Sequence, residues 1–216
     1  MGNLLIDAVQ LAVRESVGST VMRRWSPRVE PVFPGRDVYA LVVVGHRRNV
    51  GQRQALVEVL AILSDLARDI ALVWPIHSAL MSQIERYRLD GFFNAAGVCQ
   101  LPPQPFVDQV ALVRNATCVV TDSWDLQDQA TALSVPCITI GVVPARAITV
   151  SLGSNRAAAG DRTLATRLLC DCLFNGGKRG RVPPLWDGKT GARISSYLAA
   201  WLLARNAGRR EGTGIT

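Results

Sequence analysis

Two histidines and a few polar side chains carry most of the chemistry this sequence can offer. His46 and His77 are the only histidines in the chain, and each lies just past an apolar run. Gly45-His46-Arg47-Arg48 follows Val42-Val43-Val44, and His77 follows Val73-Trp74-Pro75-Ile76. A third run, Cys118 to Thr121, leads into Asp122, Ser123, Trp124 and Asp125, and a further run ends before Gly141, Pro144 and Arg146. Imidazole, hydroxyl and guanidinium groups are hydrogen-bond donors suited to an anion. Ser123 also stands where a helix starts, and free backbone N–H groups at such a start favour a phosphate. The plainer roles stay open. The histidines can cap loops, and Asp122, Ser123 or Asp125 can cap the helix, as these residue types commonly do. Neither a glycine-rich dinucleotide fingerprint nor a P-loop is present.

The elements that must position these groups alternate. Val38 to Val44 is a continuous apolar run rich in β-branched residues, the pattern of a strand buried on both faces. Further strands are expected at Ile70–Trp74, Val98–Leu101, Cys118–Thr121 and Cys137–Ile140. Helices are expected at Gln54–Ala67, Ser78–Tyr87, Phe106–Asn115, Leu126–Leu133, Leu164–Phe174 and Thr190–Leu203. Strands alternating with helices over short connections imply a doubly wound parallel sheet of Rossmann type. Ligands of such sheets bind beyond the carboxyl ends of the strands, so His46, Arg47, His77, Ser123 and Arg146 are expected along one rim. An N-terminal arm precedes the sheet: a helix over residues 3–17 with Asn3 as its N-cap, then a proline-rich linker over residues 25–37. The division expected is an arm (1–37), a single domain (38–205) and a polar tail (206–216).

With 49% hydrophobic and 19% charged residues, 216 residues can bury one sizeable core, which argues against disorder. No apolar run approaches the roughly 20 residues of a membrane span, and Met1 to Ile6 lacks a secretory pattern, so a cytoplasmic protein without a membrane partner is expected. The five cysteines form no C-x-x-C pair; buried free thiols are expected, with no metal site. The net charge of +7 is spread over scattered arginine pairs without a basic helix, which points to a solvated surface, or next to a local anion site, rather than nucleic acid.

In register along nearly the whole chain, the sequence resembles the C-terminal half of the non-hydrolysing UDP-N-acetylglucosamine 2-epimerase family. Gly2-Asn3 with Ile6-Asp7-Ala8 is similar to the family's Gly-Asn-x-x-Ile-Asp-Ala segment. Gly45-His46-Arg47-Arg48 with Asn49 resembles Gly-His-Arg-x-Glu-Asn, one residue shorter and without the Glu. Trp74-Pro75-Ile76-His77 resembles Tyr-Pro-x-His, and Thr121-Asp122-Ser123 with Gln127 resembles Thr-Asp-Ser-Gly-Gly-x-Gln-Glu-Glu. Arg146, Gly153-Ser154-Asn155 and Asp187-Gly188-Lys189 complete the series. The resemblance implies one half of a GT-B fold, with UDP held in a cleft between two Rossmann-like domains. It implies elimination of UDP from a sugar nucleotide and re-addition with the 2-position inverted, in polysaccharide biosynthesis and with no separate cofactor. It makes His46 and His77 the candidate catalytic groups, and Arg47, Phe106, Ser123, Gln129 and Arg146 the candidate UDP contacts. The family's acid/base carboxylates lie largely in the N-terminal domain, which this sequence does not contain.

The sequence departs from the family pattern at the phosphate loop. Trp124 and Asp125 replace two glycines, and Gln129 replaces a ribose-binding glutamate. At an effective dielectric of ~20, a like-charge pair about 4 Å apart costs roughly 4 kcal/mol. That is about three decades of affinity if Asp125 faces a phosphate. The expected function is therefore a UDP-sugar-binding half, incomplete or diverged for catalysis. The alternatives are an active half of a split enzyme, which predicts an exposed apolar patch for a separate N-terminal domain, and a non-catalytic remnant. A homo-oligomer also stays open.

Overall fold

The computed structural model describes residues 2–16, 38–94 and 97–211. The linker expected over residues 25–37 lies outside them.

The chain opens with helix α1 (Leu4–Glu15), capped by Asn3, whose side chain accepts from Leu5 N at 3.0 Å. Then follow β1 (Tyr39–Val43), α2 (Arg47–Val50), α3 (Arg53–Leu66), β2 (Ala71–Pro75), α4 (Ser78–Arg86), a 3-10 turn at Asp90–Asn94, and β3 (Val98–Leu101). The second half runs α5 (Phe106–Asn115), β4 (Cys118–Thr121), α6 (Trp124–Ala132), β5 (Cys137–Ile140), α7 (Ala147–Ser151), β6 (Asn155–Ala159), α8 (Arg162–Asn175) and α9 (Thr190–Glu211).

All strand pairs are parallel, and the sheet order is β3-β2-β1-β4-β5-β6. The chain winds outward from β1 to β3, returns to the centre, and winds outward again from β4 to β6. The two windings diverge between β1 and β4, which opens a crevice at the carboxyl ends of those strands. Successive residues of each strand serve opposite faces. Ala40 and Val42 join Leu56, Leu63, Leu72, Trp74 and Val120 in one core, while Tyr39 and Leu41 join Val73, Leu112, Val119 and Leu126 in the other. That double burial is why β1 has no polar alternation. Helix α1 packs its Val9 and Ala12 on Val110 of α5, so the arm's helix belongs to the domain surface.

The expected single, doubly wound α/β sheet is the fold observed, with one strand more than expected. β6 reads Asn-Arg-Ala-Ala-Ala, without a β-branched residue, and it is an edge strand held by its pairing to β5. Its strand character comes from that pairing rather than from propensity. At the other end, α9 continues past the expected Leu203 to Glu211, into the stretch expected as a flexible tail. Cys118, Cys137 and Cys172 are buried free thiols, Cys99 and Cys170 are partly buried, and among the described residues no cluster suits a metal. No described helix is long and apolar enough to cross a membrane.

Core and surface leucines separate sharply here. Leu63 is fully buried, whereas Leu203 of α9 is 72% exposed. Urea denaturation of Leu63→Ala is expected to show a loss of about 2–5 kcal/mol. Leu203→Ala should stay within about 0.5 kcal/mol of the parent. Equal losses would contradict this assignment of the core.

Candidate functional site

The crevice between the two windings holds a cavity of ≈ 500 Å³, lined from three strand ends. β1 leads into Val43, Val44, Gly45 and His46; β2 leads into Pro75 and His77; β4 leads into Asp122, Ser123, Trp124 and Asp125. Because all strands are parallel, each run delivers its following residues to the same edge.

Asp122 holds the floor together. Its carboxylate accepts from Gly45 N (3.1 Å), His46 N (3.0 Å) and Asn49 Nδ2 (2.8 Å). Asn49 is buried, and its Oδ1 accepts from Val142 N at 2.9 Å, beyond β5. One carboxylate and one amide thus join the loops after β1, β4 and β5. Gly141 completes the joint: its φ is +82°, and a Cβ there would lie 2.4 Å from the Asn49 side chain. Thr121 adds a bond from its hydroxyl to Val43 O (2.6 Å) and accepts from Ser123 N (3.0 Å).

Each histidine caps a helix and also lines the cavity. His46 Nδ1 accepts from Arg48 N at 3.2 Å and caps α2; His77 Nδ1 accepts from Ala79 N at 3.3 Å and caps α4. A ring accepting at Nδ1 carries its proton on Nε2 when neutral. Both rings also line the cavity, and among the described residues no hydrogen bond occupies either Nε2. Ser123 occupies the N-cap position of α6 without a side-chain capping bond, so its hydroxyl is not spent on the helix.

The remaining expected residues are placed elsewhere. Arg146 is expected on the same lip as His46, His77 and Ser123, but it does not line the cavity. Its Nε lies 3.2 Å from Asp128 Oδ1, and its backbone N donates to Gln127 Oε1 at 2.7 Å. The Asp128 side chain is buried, whereas that of Arg146 is partly exposed. Arg47 opens α2 as an exposed residue outside the cavity lining. Phe106 opens α5 and is 38% exposed, also outside the lining. Gln129 is buried on α6, where its Oε1 accepts from Gln109 Nε2 at 3.4 Å. Sequence reasoning did not single out Asp122 as a site residue. The available signal was its place directly after a buried strand, facing the loop after β1.

Beneath α6 lies a second polar layer. Gln127 Oε1 also accepts from Asn155 Nδ2 (3.1 Å), and Asn155 Oδ1 accepts from Thr139 Oγ1 (2.9 Å). Asp128 Oδ2 accepts from Asn3 Nδ2 at 2.7 Å, which ties α1 to α6. The contact of Arg146 with Oδ1 has the distance of an ion pair but not hydrogen-bond geometry, so that oxygen lacks a hydrogen-bond donor. Burial pushes the Asp128 carboxyl up to about 6; Arg146 and Asn3 pull it down less strongly, and Asp125 adds to the rise.

A doubly wound sheet with donors gathered at its switch point defines a Rossmann-type ligand-binding domain. The family is then explicit: the UDP-N-acetylglucosamine 2-epimerase family model matches residues 1–199, and the chain belongs to that family. The UDP-N-acetylglucosamine 2-epimerase of Escherichia coli K12 is 30% identical over 204 residues, which cover 91% of this chain and 53% of that protein. The one from Methanocaldococcus jannaschii is 27% identical over 75% of this chain and 44% of its own length. The M. jannaschii enzyme solved in complex with UDP-GlcNAc and UDP superposes with a TM-score of 0.79 at 23% identity, over 92% of this chain and 54% of that one. The Neisseria meningitidis enzyme solved with UDP-GlcNAc gives 0.75 at 16% identity. The chain therefore spans about half the length of the relatives it matches, corresponding to their C-terminal half.

Asp128 sets a pH dependence. Its folded value of about 6 lies above its ordinary 3.8, so the folded state binds that proton more tightly than the unfolded chain. The stabilising effect of the proton is complete below about 3.8 and is lost as pH rises to about 6. Asp128→Asn removes this loss. Relative to the parent, its unfolding free energy should gain up to about 3 kcal/mol between pH 4 and 7. Parallel stability curves over that range would contradict the assignment.

Proposed function

We propose that this chain is the UDP-sugar-binding half of a UDP-N-acetylglucosamine 2-epimerase-type protein, with UDP-GlcNAc or UDP-ManNAc as its ligand. One observation carries the reading: His46, His77 and Ser123 line a single cavity at the switch point, each with a donor not used by the fold. In this reading the two Nε2–H groups and the Ser123 hydroxyl meet the phosphates. His46 and His77 are the candidate catalytic groups, and Arg47, Phe106, Gln129 and Arg146 are outer contacts that reach the ligand only if their side chains turn toward it. Relatives solved with UDP-GlcNAc support the ligand class. The free cysteines accord with a reducing, cytoplasmic setting, and the chemistry would belong to polysaccharide biosynthesis.

Turnover in this reading needs a second domain, equivalent to the half that the relatives possess in addition. α9 supports such a partner. From Ser195 to Asn206 every residue of the helix is exposed, Tyr197, Leu198, Trp201 and Leu202 among them. An isolated stretch of about a dozen helical residues is marginal in water, and an apolar stripe on it favours a covering surface. The helix starts against α1, with Thr190 N and Gly191 N donating to Asp7, close to where a preceding domain would join.

Calorimetric titration with UDP and UDP-GlcNAc tests the reading. The parent chain should bind, and His46→Ala and His77→Ala should each weaken binding by about tenfold or more, the value of a hydrogen bond to a charged group. The chain alone should not interconvert UDP-GlcNAc and UDP-ManNAc. Absence of heat with both ligands at millimolar concentration would end the proposal.

A further inference from the structure

The part of the cavity wall formed by Trp124 and Asp125 is built for something other than phosphate. None of the lining residues is a lysine or arginine, and the charged side chains among them are Asp122 and Asp125. Asp122 is engaged by the loops, as described above. Asp125 is exposed, and among the described residues no hydrogen bond or ion pair holds its carboxylate. It sits in the first turn of α6, where a negative charge is favoured, so the chain itself supplies the anion that the helix end attracts. Beside it, Trp124 is 51% exposed, and its Nε1–H donates to Pro144 O at 3.0 Å. That bond fixes the indole by one edge across the β4 and β5 loops and leaves much of the ring open.

An exposed indole and an exposed carboxylate lining one cavity have a clear chemical complement. The indole offers an apolar face, and the carboxylate offers acceptors only. A pyranose supplies both counterparts: a face of C–H groups to lie on the ring, and neighbouring hydroxyls to donate to the two carboxylate oxygens. A phosphate supplies neither, and it is repelled by Asp125.

We propose that Trp124 and Asp125 form a hexose subsite, so that the cavity holds the sugar at the start of α6 and favours a sugar nucleotide over the free nucleotide. The identity of the whole ligand rests on the UDP-sugar reading, whereas the subsite stands on these two side chains. The phosphates then lie toward His46, His77 and Ser123, away from the Asp125 charge.

Calorimetry on the parent chain and on Trp124→Ala, Trp124→Phe and Asp125→Asn, with UDP and UDP-GlcNAc, decides the matter. The parent should prefer UDP-GlcNAc by about tenfold, and Trp124→Ala and Asp125→Asn should each cut the preference to about twofold. Trp124→Phe should keep most of it. Equal parent affinities overturn the subsite. So does a gain in UDP affinity in Trp124→Ala with the preference unchanged, which would make the indole an obstruction. If the parent binds neither nucleotide, the UDP-sugar reading falls and free N-acetylglucosamine decides the subsite. Quenching of tryptophan fluorescence that Asp125→Asn abolishes would uphold it, and no quenching would overturn it.

Discussion

A buried carboxylate at the end of a central strand has to be satisfied, and Asp122 is satisfied by the loops that make the site. Removing a charge from water is costly unless hydrogen bonds replace the solvent, and bonds to an ionised acceptor are among the stronger ones in proteins. Two backbone N–H groups and the Asn49 amide supply them. The same bonds set where Gly45 and His46 stand relative to Ser123. Asn49 then carries the constraint to Val142, against a glycine whose missing side chain leaves room for it. The bonds that satisfy Asp122 thus fix the side of the cavity formed by the loops after β1 and β4.

The layer below works by the same rule with a different outcome. Gln127 and Asn155 join β5, β6, α6 and the start of α7, and Asp128 reaches across to Asn3 of the arm. This layer holds Arg146 away from the cavity lining: its guanidinium lies against Asp128, whose own burial raises its proton affinity. The ligand side of the crevice is left with neutral donors and a free carboxylate. That balance favours a ligand rich in hydroxyls and apolar ring surface over one recognised by charge alone.

Energetic completeness differs across the molecule. The two faces of the sheet are covered by α3, α4 and α8 on one side and α5 and α6 on the other, and each core includes fully buried residues. α9 leaves that covered body after its first turn, with its apolar side chains uncovered. The chain, which spans about half the length of the relatives it matches, has the core of a whole domain.

Local pattern was enough to read β1, β2, β4 and β5, because a strand buried on both faces is largely apolar along its length, and that pattern is visible without coordinates; the edge strand β3, with its exposed Gln100, shows it only in part. It was also enough to bring His46, His77 and Ser123 to one edge, since parallel strands present all their carboxyl ends together. β6 could not be read this way: Asn155 to Ala159 has no intrinsic preference for a strand and acquires one only from β5 beside it. Nor could the direction of Arg146 be read. A long side chain goes to whichever carboxylate the fold brings within reach, and Asp128 is brought there by the packing of α6 against α7 and α1. Periodicity belongs to neighbours along the chain, so it is written in the sequence; the choice of a charged side chain's partner belongs to neighbours in space, and only the folded arrangement makes it.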